Sequence, residues 1–274
     1  MVDDRQKTGR ERRPRPASGA WSGAGRARPT QPRDGQPRDG QPRDAQNSRG
    51  DRAPHDAPAI PPDVDARQLA PEIRRELSTL DRATADAVAR HLVAAGALLD
   101  EDPETALGHA RAARARSSRI AAVREAVGIA AYHCGDWAQA LSELRAARRM
   151  GSKSSLLALM ADCERGLGRP ERAIELARGP EAAELSGDDA DELRIVAAGA
   201  RADLGQLEQA LTVLSTPQLD PGRKGPTAAR LFYAYADTLL ALGRRDEALH
   251  WFLRSAGADV DGVTDAEDRV GELA

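Results

Sequence analysis

From about Leu69 onward, apolar residues recur at spacings of three and four, whereas residues 1–65 show no recurrence at helix or strand period. Ile73, Leu77 and Leu80 fall on one face behind Pro71, a residue suited to a first turn, and predict an entry helix. The clearest pair of helices spans about 121–150. Its first member carries Val123, Val127, Gly128 and Ala131, Gly135 and Asp136 make the turn, and the second carries Trp137, Ala140, Leu141, Leu144 and Ala147. Further pairs are predicted near 87–113, 154–178, 191–215 and 229–256, with Gly179-Pro180 and Pro217 cutting two second helices short. Residues 181–190, which contain Ser186-Gly187-Asp188-Asp189, and residues 218–226 read as loops. Thr264 and Glu267 have capping-box spacing ahead of a short acidic helix that ends near Leu273.

One residue type keeps time along this pattern. Ala106, Ala140, Ala173, Ala210 and Ala248 each lie early in a second helix, 34, 33, 37 and 38 residues apart. Such self-similarity indicates stacked helical hairpins. Gly128 and Ala140 are expected where the paired helices cross, and a bulky side chain there would cost about 1–3 kcal/mol. The order Gly128, Gly135, Asp136, Trp137, Ala140, Leu144, Ala147 resembles the tetratricopeptide repeat family, with Ala94, Ala161, Ala198 and Ala236 at the matching small position in the other pairs. The resemblance implies an all-α fold: a right-handed superhelix of about five stacked antiparallel hairpins, less regular after Arg178. The expected domains are a tail at 1–65, the repeats at 66–256 and a capping helix at 257–274.

Composition agrees with close-packed helices, since aromatics are only 3% of residues. The net charge of −3 is unevenly spread: residues 1–65 hold thirteen Lys/Arg against ten Asp/Glu, so the body is acidic. That tail, with Q-P-R-D-G repeated at 31–35 and 36–40 and Q-P-R-D-A at 41–45, is too polar to offset its chain entropy and is expected to be disordered. Its basic part could touch RNA weakly through Arg10, Arg12, Arg13, Arg15, Arg26 and Arg28, with Trp21 stacking on a base. Interleaved acids dilute that field, which favours a solubilising role. Arg far outnumbers Lys, the bias of a GC-rich genome. Two cysteines, no apolar leader and no long apolar run point to a cytoplasmic protein without a membrane span.

The resemblance further implies a binding groove along the first helix of each hairpin. Carried over by position, its residues are His91, Glu125, Ile129, Tyr132, His133, Asp162, Arg165, Tyr233 and Asp237. The family's carboxylate clamp, built from Lys and Asn, is not expected, because Glu125 and Asp162 stand there and the only Asn is Asn47. Tyr132-His133-Cys134 beside Asp136 cannot converge on one metal ion, since consecutive helical residues diverge. Gly151-Ser152-Lys153-Ser154 lacks the glycines of a phosphate loop, and Asp259-Val260-Asp261-Gly262 lacks the glutamate of a calcium loop. No nucleophile or acid/base set emerges, so the expectation is a non-enzymatic scaffold without metal, cofactor or small-molecule substrate. Its partner would be a protein or peptide segment; an RNA- or ribosome-associated factor acting through the tail is the alternative.

Overall fold

Small residues decide where the helices of this chain meet. A computed structural model describes residues 57–152 and 155–274, which form twelve α-helices and, among the described residues, no strand. They are α1 (Pro71–Leu77), α2 (Arg82–Leu98), α3 (Pro103–Arg116), α4 (Ala121–His133), α5 (Trp137–Arg149), α6 (Leu157–Gly166), α7 (Pro170–Ala177), α8 (Gly187–Asp203), α9 (Leu207–Leu214), α10 (Pro226–Ala241), α11 (Arg245–Ala258) and α12 (Ala266–Leu273). None is long and apolar enough to cross a membrane.

The chain divides into two compact units, one ending at Gln206 and the other spanning Leu207–Ala274. In the first, α2 pairs with α3, α4 with α5 and α6 with α7, and each pair rests on the next through α3–α4, α5–α6 and α7–α8. Alternate helices also touch: α2 lies beside α4, and α6 beside α8. In the second unit α10 pairs with α11, α9 packs on α10 and α12 packs on α11. The boundary falls inside the pair predicted at 191–215, between α8 and α9.

All five recurring alanines, Ala106, Ala140, Ala173, Ala210 and Ala248, are 0% exposed. At the small position of the first helices, Ala94, Ala161, Ala198 and Ala236 are likewise buried. At Gly128 the approach is closest, since a methyl group added there would lie 2.7 Å from Leu144 Cδ2. Around that crossing Val127, Leu144, Met160 and Cys163 form the core of α4, α5 and α6. The Cys163 thiol is pushed up to about 12 by burial and then by Asp162 and Glu164, so it is an inert packing group.

Turns repeat as well as crossings. Gly135 adopts φ +71, and beyond it the Asp136 N–H closes on Ala131 O at 2.9 Å, which ends α4. Arg169 to Glu164, Gln206 to Arg201 and Arg244 to Leu239 repeat this bond after Gly168, Gly205 and Gly243. Asp136 then starts α5 by accepting from the Gln139 N–H at 3.1 Å. The α2–α3 pair manages without the glycine: Asp102 caps Thr105 at 3.1 Å and Pro103 opens the helix. Between successive pairs, Glu143 on α5 is 4% exposed and binds both Arg114 of α3 (3.0 Å) and Arg124 of α4 (2.9 Å).

Two local expectations are corrected. Residues 181–190 are not a continuous loop, because α8 begins at Gly187; Asp188 and Asp189 fall in its first turn, where the helix dipole favours acids. Only a 3-10 turn, Ala182–Glu184, precedes it. Nor do Thr264 and Glu267 form a capping box. The Thr264 hydroxyl instead donates to Asp259 at 2.7 Å, and Asp265 takes the N-cap position of α12.

Candidate functional site

Counting back from the turn glycine puts the first helices of the pairs in a common register. Tyr132 and Arg165 both lie three residues before their glycines, Gly135 and Gly168; Ile129, Asp162 and Gly199 lie six before Gly135, Gly168 and Gly205. The face shared by α4, α6 and α8 is built from these positions. The Tyr132 hydroxyl donates to Asp162 Oδ2 at 2.5 Å, and Arg165 Nη1 donates to Asp162 Oδ1 at 2.8 Å. Arg165 then reaches α8, donating from Nε to Asp203 Oδ2 at 2.8 Å and from Nη2 to Asp203 Oδ1 at 3.2 Å. This fork is the bidentate geometry that favours arginine over lysine. Gly199 makes room for it, since a methyl group there would sit 2.6 Å from the Arg165 Cζ.

Electrostatics follow from this ladder. Burial, and then the carboxylate of Asp162, raise the Tyr132 phenol, so it stays a protonated donor. Arg165 is held above its ordinary value: burial opposes the charge, but Asp203 and Asp162 outweigh it. The polar groups of the face therefore tie α4 to α6 and α6 to α8. Replacing Tyr132 by phenylalanine is expected to cost about 1.5–3 kcal/mol, the range for a bond to a charged acceptor. A double-mutant cycle with Asp162→Asn, read by urea unfolding, should give a coupling above about 0.5 kcal/mol, and additivity would contradict the ladder.

The remaining groove positions differ in what they offer. His133 is exposed at the end of α4, Ile129 is half-buried against the α4–α6 core, and Glu125 accepts from the Ser152 hydroxyl at 2.8 Å. Tyr132 meets Trp137 edge-on, with ring centroids 5.3 Å apart. Asp203 and Gly199 escaped the sequence reading, yet the register held the signal: Asp203 stands two residues before Gly205, as His133 stands before Gly135.

Three groove assignments need correction. His91 is 3% exposed, and its Nδ1 lies 3.0 Å from Nδ1 of His109 on α3, so it faces the inside of its hairpin. Tyr233 is 9% exposed and lies with Phe252, Ala266 and Val270 in one apolar cluster, where burial, and then Asp265, raise its phenol. Asp237, 3.6 Å from Arg269 of α12, is raised above the ordinary carboxylate range by burial, against the effect of Arg269. The tail residues Arg10, Arg12, Arg13, Arg15, Trp21, Arg26 and Arg28 lie outside the described residues.

The histidine pair makes stability depend on pH. Burial, then Arg116, His109 and Arg90, lower His91 to about 4, and burial lowers His109. Between the unfolded value near 6.5 and about 4, the unfolded chain takes up a proton that the folded pair refuses. Stability should fall as pH drops through that window and level off below it, by on the order of 3 kcal/mol at about 1.4 kcal/mol per pKa unit. Urea titrations at pH 7 and pH 4 should show most of this loss, and His91→Leu should reduce it; stability unchanged between the two would count against a neutral pair.

Tyr132, His133, Cys134 and Asp136 do not converge. Tyr132 turns to Asp162, His133 to solvent, Cys134 donates to Pro103 O at 3.2 Å, and Asp136 caps α5. Among the described residues no group of three or more His, Cys, Asp or Glu is placed to hold a metal ion. No protein-family model matches the chain, and no curated protein matches it.

Proposed function

We propose that this chain is a non-enzymatic adaptor of the tetratricopeptide type, whose stacked hairpins present the α4–α6–α8 face to a segment of a partner protein. The observation that carries this reading is the shared register of that face. Tyr132, three before its glycine, meets Asp162, six before the next, and Arg165, three before its glycine, lies against Gly199, six before the next, so each added pair extends one continuous surface. A superhelical course of the hairpins belongs to the same reading, as does a cytoplasmic location. The ladder Tyr132–Asp162–Arg165–Asp203 sets the spacing of the surface, and Ile129 and His133, at its more open end, take the contacts. An apolar anchor beside an imidazole, which can donate a hydrogen bond, suits an extended or helical peptide with an apolar residue and a hydrogen-bond-accepting neighbour.

The test is partner capture from cells that make the protein. Ile129→Arg with His133→Glu should abolish it; because Ile129 is half-buried, His133→Glu alone, which should weaken capture while leaving unfolding within about 0.5 kcal/mol of the unaltered chain, separates lost contact from lost packing. Retained capture with the face altered would overturn the reading.

A further inference from the structure

The α10 positions that sequence places on a groove are occupied, and their occupant is α12. In the unit Leu207–Ala274, Ala266, Val270 and Leu273 of α12 lie in one cluster with Tyr233, Ala236, Leu239 and Phe252. Arg269 adds a cation to the same side of the helix, 5.4 Å above the Phe252 ring and 3.6 Å from Asp237. The floor beneath α12 is therefore aromatic and apolar with one acid, and α12 answers it with residues at i, i+3, i+4 and i+7.

The fit has faults. Arg269 Nε and Asp265 Oδ1 are both buried without a hydrogen-bond partner. Asp265 holds the N-cap position, yet its side chain accepts no bond from its own helix. Arg269 splits its charge between Asp237 and Glu272, the latter at 2.8 Å on its own helix. At eight residues α12 is too short to persist alone, so packing and its tethers must hold it. Those tethers are the turn organised by Asp259, which accepts from Val263 and Thr264, and exposed bonds from Arg245 to the carbonyls of Glu272 and Leu273.

We propose that α12 is the built-in occupant of a docking groove on α10 and α11, and that an amphipathic helix of a partner protein displaces it. The partner helix repeats the pattern of α12: a small residue, an arginine three on, and apolar residues four and seven on. A helix that satisfies Asp237 without burying a second carboxylate beside it binds better than α12 does. This site belongs to the unit Leu207–Ala274, and the proposal does not depend on the α4–α6–α8 face.

The probe is a labelled peptide of residues 263–274, added to the full chain and to the full chain carrying Val270→Asp, which unseats α12. The peptide should bind the variant saturably and at least tenfold more tightly than the unaltered chain, and Arg269→Glu within the peptide should weaken binding at least tenfold. Amides of α10 and α11 should stay protected from hydrogen exchange in the variant. Equal affinity for both chains, no saturable binding to the variant, or lost protection in α10 and α11 would each overturn the proposal. None of these outcomes involves Ile129 or His133, so failure here is distinguishable from failure of the adaptor reading.

Discussion

Truncating Leu144 to alanine is expected to destabilise the α4–α5 hairpin by about 2–5 kcal/mol, because a fully buried leucine leaves a cavity that its neighbours fill only in part. Gly128→Ala is expected to err in the opposite direction. Its methyl would come within 2.7 Å of Leu144 Cδ2 and Cγ and 3.2 Å of the Leu144 amide nitrogen, so the helices must part, at about 1–3 kcal/mol. Combined, the two changes should cost less than their sum, since the side chain that Gly128→Ala collides with is gone. Hydrogen exchange of α4 and α5 amides in rising urea measures each cost locally, which suits a chain of two compact units. A shortfall of at least about 0.5 kcal/mol is the expected signature; strict additivity would show that Gly128 and Leu144 do not share a crossing.

Phe252→Ala should have the largest effect in the other unit. The ring is 0% exposed, meets Tyr233 at 5.2 Å with an interplanar angle of 72°, and lies under the Arg269 guanidinium. Its loss removes apolar burial, an edge-to-face pair and a cation–π contact together, for about 3–5 kcal/mol. Exchange of α10 and α11 amides should accelerate accordingly. Phe252→Leu, which keeps most of the volume but none of the ring contacts, should recover more than half of the loss. A Phe252→Ala cost below about 1 kcal/mol would mean that α10 and α11 are held by contacts other than this ring.

Much of this architecture is legible in the sequence because its determinants are local. Gly135-Asp136 carries its own turn and cap, and Ala140 marks a crossing through its size alone, so the α4–α5 pair fell within a residue or two of its bounds. Elsewhere local signals competed. Ser186-Gly187-Asp188-Asp189 has the composition of a loop, yet two acids in a first turn are equally good chemistry for a helix start, and α8 begins there. What stayed hidden needed partners distant in sequence. His91 reads as an outward residue until His109, eighteen positions later, comes to 3.0 Å from it. Tyr233 and Asp237 keep the groove register, but only the position of α12 reveals that they are covered. Asp203 is an intermediate case: its register was readable, whereas the fork it makes with Arg165 depends on Gly199 leaving space on α8.

The most direct test of a partner-binding face is site-specific photo-cross-linking in cells that make the protein. A cross-linker at Ile129, on the α4–α6–α8 face, should trap one discrete protein, and a cross-linker at the exposed Ser142 of α5 should not. Trapping that is equal at both positions, or seen only at Ser142, would contradict the account.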